Sequence, residues 1–252
     1  NWDETRPTVT STFPASAYMS GVPTISGIAD DPSDLSEATG RNSSVREIRV
    51  AVRRNNVGLP GWWNGDSFDI DDTDHANGLG WLPAQVGVEN STADWTMSAA
   101  TIAFVHGTEY SLNVRATDYA LNTSVVTATF TFVYDDRRPT TTVTVPRIEA
   151  GLVVSALPLI QGTATDGVLL NRVEVRIYSH SRGKYWSPGM FTGTETDRFF
   201  LGEFAPAAWF PAANTTSWST GTFPSNFFLN SSSYSAHARG IDMAGNISPV
   251  SI

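Results

Sequence analysis

Tyr110-Ser111-Leu112-Asn113-Val114-Arg115-Ala116-Thr117-Asp118-Tyr119-Ala120-Leu121-Asn122 returns later in the chain as Tyr234-Ser235-Ala236-His237-Ala238-Arg239-Gly240-Ile241-Asp242-Met243-Ala244-Gly245-Asn246. Side chains alternate in character up to each aspartate, the period of a half-buried strand. The Asp-x-x-x-Asn that ends each copy is built from turn formers. Working outward, the match extends in order along both halves. Asp3-Glu4-Thr5-Arg6-Pro7-Thr8 returns as Asp135-Asp136-Arg137-Arg138-Pro139-Thr140, and Ile25-Ser26-Gly27-Ile28-Ala29-Asp30-Asp31 as Ile160-Gln161-Gly162-Thr163-Ala164-Thr165-Asp166. Ile48, Val50 and Val52 match Val173, Val175 and Ile177; Trp62-Trp63 matches Tyr185-Trp186; Trp95 matches Trp218. Six matches in one order mean an internal repeat.

The repeats divide the chain into 1–134 and 135–252, each read as strands. Arg46 to Val52 and Thr127 to Val133 alternate with period two, and Pro, Gly and Asn punctuate the chain at short intervals. That pattern predicts an all-β chain of two tandem immunoglobulin-like β-sandwich domains with almost no helix. The start at Asn1-Trp2-Asp3 reads as the middle of a repeat, so the chain is expected to be a fragment. Ile252 aligns with Ala128, so the last strand of the second repeat is expected to be truncated, with continuation into a further repeat.

Composition narrows the function. A net charge of −9 and a single lysine, Lys184, supply no basic stripe for a phosphate backbone, which argues against nucleic acid. No apolar run is long enough to span a bilayer, and no membrane insertion is expected. Charged residues make up 16% of the chain against roughly 25% in an average soluble protein, the balance being Ser, Thr and Asn, as on exported proteins. Cysteine is absent, which removes disulfides, thiolate metal sites and cysteine nucleophiles together. Nucleophile-elbow, zinc-protease and phosphate-loop motifs are missing, and the four histidines sit in unrelated contexts. The chain is read as not an enzyme.

Gly107-Thr108-Glu109-Tyr110-x-Leu112-x-Val114-x-Ala116-x-Asp118, followed by Asn122, resembles the F-strand signature of fibronectin type III and bacterial extracellular Ig-like repeats. The second copy, ending Asp242-Met243-Ala244-Gly245-Asn246, is similar to the turn of tandem repeats in large bacterial surface proteins. The resemblance implies a tyrosine corner at Tyr110 and Tyr234 and, in some relatives, calcium-stiffened junctions. It departs in one place, the Trp-rich middle of each repeat (58–95 and 183–218).

Two sets of side chains could do more than fold. Asp31, Asp118, Asn122, Asp135, Asp136, Asp166, Asp242 and Asn246 recur at turn positions. The end of the second strand region, the F–G turn and the following linker could meet at one pole, where hard oxygen ligands suit Ca²⁺. The same residues are also ordinary turn formers that bond their own backbone. Trp62, Trp63, Trp81, Trp186 and Trp209 could form a glycan-binding stacking platform, or they could be core. Asp69 to His75 fails the calcium-loop template and reads as a solvated loop. Six Asn-x-Ser/Thr sequons (Asn42, Asn90, Asn122, Asn214, Asn230, Asn246) permit glycosylation. The expected role is a structural spacer or filament-forming repeat of a large prokaryotic cell-surface or extracellular protein. Its partners would be neighbouring repeats of the parent chain, other copies or surface glycans. The alternative is a glycan- or surface-binding adhesive module using the Trp-rich insertion.

Overall fold

The computed structural model describes residues 3–31, 44–55, 61–87, 92–125, 130–146 and 157–252. The sequons at Asn42 and Asn90, and Thr127 to Thr129 of the expected last strand, lie outside them. The chain divides into two compact units, Asn1–Asp136 and Arg137–Ile252.

In the first unit the strands are β1 (Thr8–Phe13), β2 (Tyr18–Met19), β3 (Thr24–Asp30), β4 (Val45–Arg54), β5 (Trp62–Trp63), β6 (Phe68–Ile70), β7 (Leu82–Pro83), β8 (Gln85–Val86), β9 (Thr92–Ser98), β10 (Thr108–Asp118) and β11 (Phe130–Tyr134). They form two sheets, ordered β1-β3-β9-β8 and β2-β11-β10-β4-β5-β6, with β7 also on β4. Alternation decides which face is inside. On β10, Tyr110, Leu112, Val114 and Ala116 point into the core, and across the sandwich Ile25, Ala29, Trp95 and Met97 meet them. This is a β-sandwich, with the one-face-buried alternation expected of antiparallel sheets.

The second unit has β12 (Thr140–Val145), β13 (Gln161–Thr165), β14 (Leu170–Ser179), β15 (Lys184–Trp186), β16 (Phe199–Leu201), β17 (Phe210–Pro211), β18 (Ser217–Ser219) and β19 (Tyr234–Asp242). One sheet is β12-β13-β18; the other is β16-β15-β14-β17, with β19 on β14. The register is that of the first unit. Gly27 lies opposite Trp95 and Gly162 opposite Trp218; Tyr110 pairs with Arg54 and Tyr234 with Ser179. Among the described residues helix is confined to short pieces: α1 (Asp72–Ala76), α2 (Glu195–Arg198) and a 3₁₀ turn at Pro206–Ala208.

Both tyrosine corners form. The Val105 amide donates to Tyr110 Oη at 2.9 Å and the Leu229 amide to Tyr234 Oη at 3.2 Å. Tyr234 also donates to Glu195, whose Oε1 accepts from Ser179 and Ser181 as well. Burial alone would push that carboxyl up; the three hydroxyl donors more than offset it and hold it below the ordinary range.

Gly27 and Gly162 are required for one reason. A Cβ at Gly27 would stand 1.9 Å from the Thr10 carbonyl oxygen and 2.6 Å from the Trp95 ring; at Gly162 it would stand 2.0 Å from that of Thr142 and 2.4 Å from Trp218. Each large indole is seated by a missing side chain on the neighbouring strand.

Candidate functional site

In the first unit the acids gather at the end where the chain enters. Asp31 follows β3, Asp118 ends β10 and Asp3 precedes β1; one carboxylate oxygen from each lies within 4.8 Å of the others. Asp31 and Asp118 are buried and Asp3 half-buried. The turn after β10 fixes Asp118: the Asn122 amide donates to Oδ1 at 2.8 Å, and its side-chain Nδ2 donates to Oδ2 at 2.8 Å and to the Asp3 carbonyl at 3.0 Å. Asn122 therefore positions Asp118 and ties the entry segment to it. Asp3 is itself oriented by Thr5, whose amide and hydroxyl both donate to Asp3 Oδ1.

The second unit repeats the pair. Asp166 follows β13 and Asp242 ends β19, with carboxylate oxygens within 4.8 Å of each other. The Asn246 amide donates to Asp242 Oδ1 at 2.8 Å, as Asn122 does to Asp118. Asp166 Oδ1 and Asp242 Oδ2 are shielded from solvent and accept no hydrogen bond from the described residues.

Asp135 and Asp136 stand at the other end of the first unit from Asp31 and Asp118. They follow β11, whose last residue pairs with Thr108 at the start of β10, whereas Asp118 is its far end. Eleven residues of strand separate these ends by roughly 30 Å at 3.3 Å per residue. Asp135 and Asp136 instead flank His106, with Nδ1 at 3.1 and 3.6 Å from their Oδ1 atoms. The linker after the last strand of an antiparallel sandwich leaves at the end opposite the F–G turn; the segment before the first strand shares that turn's end. Asp3 is the member that reading for turns alone misses. Its signal is the repeated Asp-x-x-Arg-Pro-Thr entry, in which Asp135 is its sequence counterpart.

The carboxylate oxygens suit a hard cation. Oxygens gathered within 4.8 Å of one another lie near the spacing at which a single Ca²⁺ bonds several oxygens at about 2.3–2.6 Å. Without a cation, two unit charges at that spacing repel by roughly 3 to 4 kcal/mol even at an effective dielectric constant of about 20.

The tryptophans are placed differently. Trp63 and Trp186 lie in the two cores, both 3% exposed. Trp62 and Trp81 make a small buried cluster with Ala51 and Ile70. Their faces are occupied: His75, from α1, stacks on Trp62 at 3.5 Å and lies 5.2 Å from Trp81, while the Arg115 guanidinium sits 4.3 Å from the Trp81 ring centre. Trp209 is half-buried, with Arg176 at 4.6 Å and Arg239 at 4.1 Å from its ring centre; Arg176 also lies over Tyr185 at 4.2 Å. Trp81 and Trp209 are structural equivalents, because Leu82 pairs with Val50 and Phe210 with Val175. A sugar could stack on Trp209 only where the guanidinium groups leave its ring.

The Asp69–His75 stretch is a helix cap rather than a loose loop. Asp71 accepts from the Asp74 amide, and Asp72 accepts from Trp62 Nε1 at 2.8 Å and Arg53 at 2.9 Å. A shallow groove on the outer face of the β1-β3-β9-β8 sheet, lined by Thr12, Ser26, Ile28, Gln85, Asp94 and Thr96, involves neither acids of the cluster nor these indoles. No described helix is long and apolar enough to cross a membrane.

Comparison with known proteins gives no family model and no curated protein that matches. Solved structures align over 98% of the chain: chicken CNTN1 FN1–FN3 domains (13% identity, TM-score 0.46, 64% of that chain); a tetra-tandem repeat in the extending region of a large adhesion protein (14%, 0.32, 48%); and a 1.5-MDa bacterial ice-binding adhesin studied for host cell surface retention (17%, 0.40, 62%). The chain spans between about half and two thirds of the length of these structures, to which it is similar in fold.

Proposed function

We propose that the chain is a structural spacer or filament-forming repeat of a large prokaryotic extracellular or cell-surface protein, without enzymatic activity. One observation carries this reading: what recurs between the two units is what builds a sandwich. The paired strands, the Gly–Trp seats, the tyrosine corners and the aspartates at one end all repeat in register, while the solvent-facing loops differ. A duplicated glycan site would repeat an open aromatic surface instead, whereas the ring faces of Trp62 and Trp81 are covered by His75 and Arg115. Neighbouring repeats of the parent chain are the partners this role requires. Labelled chain on a glycan array should show no binding; binding that Trp209→Ala abolishes would establish the adhesive alternative in its place.

Calcium completes the reading. Asp3, Asp31 and Asp118 hold one Ca²⁺, with Asn122 holding Asp118 in place, and Asp166 and Asp242 serve a second ion. The cation offsets the mutual repulsion of the carboxylates and ties the entry segment to both sheets. Saturation at about a hundredfold excess over Kd stabilises by about 2.7 kcal/mol. The melting temperature of the first unit should therefore rise in CaCl₂ over EGTA, and Asp118→Asn should remove most of the rise. A melting curve indifferent to EGTA overturns the calcium assignment and leaves the spacer role standing.

A further inference from the structure

Charge is divided unevenly between the two units. Residues 1–136 hold eighteen Asp and Glu against seven Arg, a net charge of −11; residues 137–252 hold seven Asp and Glu against nine Lys and Arg, a net charge of +2. Five of those nine cations, Arg172, Arg176, Arg182, Lys184 and Arg239, lie on β14, β15 and β19 or on the turn that joins β14 to β15. Among the described residues the strands of this sheet offer its outer face one carboxylate, Glu174, and Arg172 and Arg239 already hold it at 2.8 and 2.7 Å. Arg176 directs its donors to the Glu203 carbonyl at 3.1 Å and to His237 Nδ1 at 3.2 Å rather than to a carboxylate. The first of these bonds fixes the backbone just before Phe204, a side chain 93% exposed, beside the cations and Trp209. Phe200, on the edge strand β16, is 51% exposed. Arginines, aromatic rings and a bare phenylalanine on one face are the make-up of a protein interface rather than of a solvated sheet.

The first unit carries the complement. Asp66, Asp69, Asp71, Asp72 and Asp74 fall within nine residues around β6 and α1, and all but Asp71 are exposed. Asp72 is paired with Arg53, and the same segment ends on Leu79, 53% exposed.

We propose that the outer face of the β14, β15 and β19 sheet is a docking surface for the acidic 66–79 segment of a second copy of this chain. The cations meet the aspartates, and Phe204 and Leu79 supply the apolar contact between them. A second copy is the occupant because one sequence provides both surfaces, with opposite charge and matching exposed apolar side chains. A contact between unlike surfaces can continue from copy to copy. This rests on the filament-forming reading and deepens it by naming the surfaces through which copies join.

Sedimentation of the full chain in EGTA tests the contact with calcium kept out. The weight-average mass should climb with concentration at about 0.1 M salt and return to that of one chain at about 1 M, where the screening length falls from about 10 Å to about 3 Å. Two charge-reversed variants use exposed positions on either surface: Arg182→Glu with Lys184→Glu, and Asp66→Lys with Asp74→Lys. Single exposed pairs are weak, so each double reversal should loosen self-association by about tenfold. Mixing the two variants should restore it, because each then meets its opposite, and that recovery also shows that both are folded. Phe204→Ser should weaken association while its salt dependence persists. A single-chain mass at every concentration, or a mixture no stronger than its parts, overturns the contact. Acidic glycans bound on the array and lost in the Arg182→Glu, Lys184→Glu variant, with no self-association, give the face to another occupant and overturn it as well. A monomeric chain that binds no glycan leaves the spacer role standing.

Discussion

Trp81 and Trp209 occupy the same place on the two sandwiches, yet different side chains hold them there. In the first unit β4 offers only Ala51 beneath the ring, and the space is filled by His75, carried in on α1 and stacked between Trp62 and Trp81. In the second unit the corresponding residue of β14 is Arg176, paired with His237 as Ala51 is with Asn113. Its guanidinium lies over both Tyr185 and Trp209. Under both tryptophans the next strand supplies an arginine, Arg115 or Arg239. The fold demands that a bulky ring cover the outer face of this sheet and that a flat group separate it from the next ring. It leaves open whether that group is an imidazole from an insertion or a guanidinium from the strand.

The sharpest test of the equivalence lies in the cores. Gly27→Ala and Gly162→Ala should each destabilise their own unit by about 3 kcal/mol or more, because the new methyl overlaps a backbone carbonyl that cannot move and an indole that has nowhere to go. Denaturant titration with unit-resolved hydrogen exchange reads each unit separately. If only one substitution is costly, the two Trp seats are not the same structure.

That seat was legible in the sequence, because Gly27 and Gly162 stand at one place in an alternating run and Trp95 and Trp218 recur in order. Strands β4, β10, β14 and β19 were legible for the same reason: a period of two survives any change in loop length. The pairing of Trp81 with Trp209 was not, because the intervening segments contain α1 in one unit and α2 with a 3₁₀ turn in the other, and Trp62-Trp63 offered a nearer match. Asp31 and Asp118 were legible as repeated turn acids. Asp3 was visible only as the first residue of the repeated Asp-x-x-Arg-Pro-Thr entry; that it joins Asp31 and Asp118 follows from which end of the sandwich the entry strand shares, a fact of topology.

A smaller effect separates the units by pH. His237 accepts a hydrogen bond from Arg176 Nε at Nδ1, and burial first, then Arg176, pulls its pKa from 6.5 to about 4. Its neutral form is what the folded state holds. Below the unfolded value of 6.5 the unfolded chain takes a proton that the folded chain refuses, so stability is full above that pH and falls as pH drops toward 4. His75 is lowered too, burial being the largest cause and Arg115 adding to it, so the first unit weakens in the same direction. Giving the second unit its counterpart, His237→Asn, should flatten its stability between pH 6.5 and 4 while the slope of the first unit persists. Discounted for partial exposure, the contribution is about 1 kcal/mol. An unchanged slope in the second unit would mean that His237 is not the titrating group.

The smallest predicted difference sits in the turn that follows each aspartate. Leu121 has φ +71° and Gly245 has φ +87°, the same left-handed position in Asp118–Asn122 and Asp242–Asn246. Both turns are set by the same bonds: the Asn amide to the aspartate Oδ1, and the aspartate amide to the Asn carbonyl at 3.1 Å. Glycine meets that demand freely, whereas a leucine Cβ crowds its own carbonyl at about 1–2 kcal/mol. Leu121 recovers little of this by burial, since it is 65% exposed. Leu121→Gly should therefore stabilise the first unit, by about 0.5 kcal/mol once the greater freedom of glycine in the unfolded chain is subtracted. Gly245→Leu should destabilise the second by a similar or slightly larger amount. The pair is informative because neither side chain touches the carboxylates: chelator sensitivity should be unchanged while the two stabilities move in opposite directions. If Leu121→Gly destabilises instead, the leucine is making a contact that outweighs its backbone strain, and the two turns are alike in shape but not in what they do.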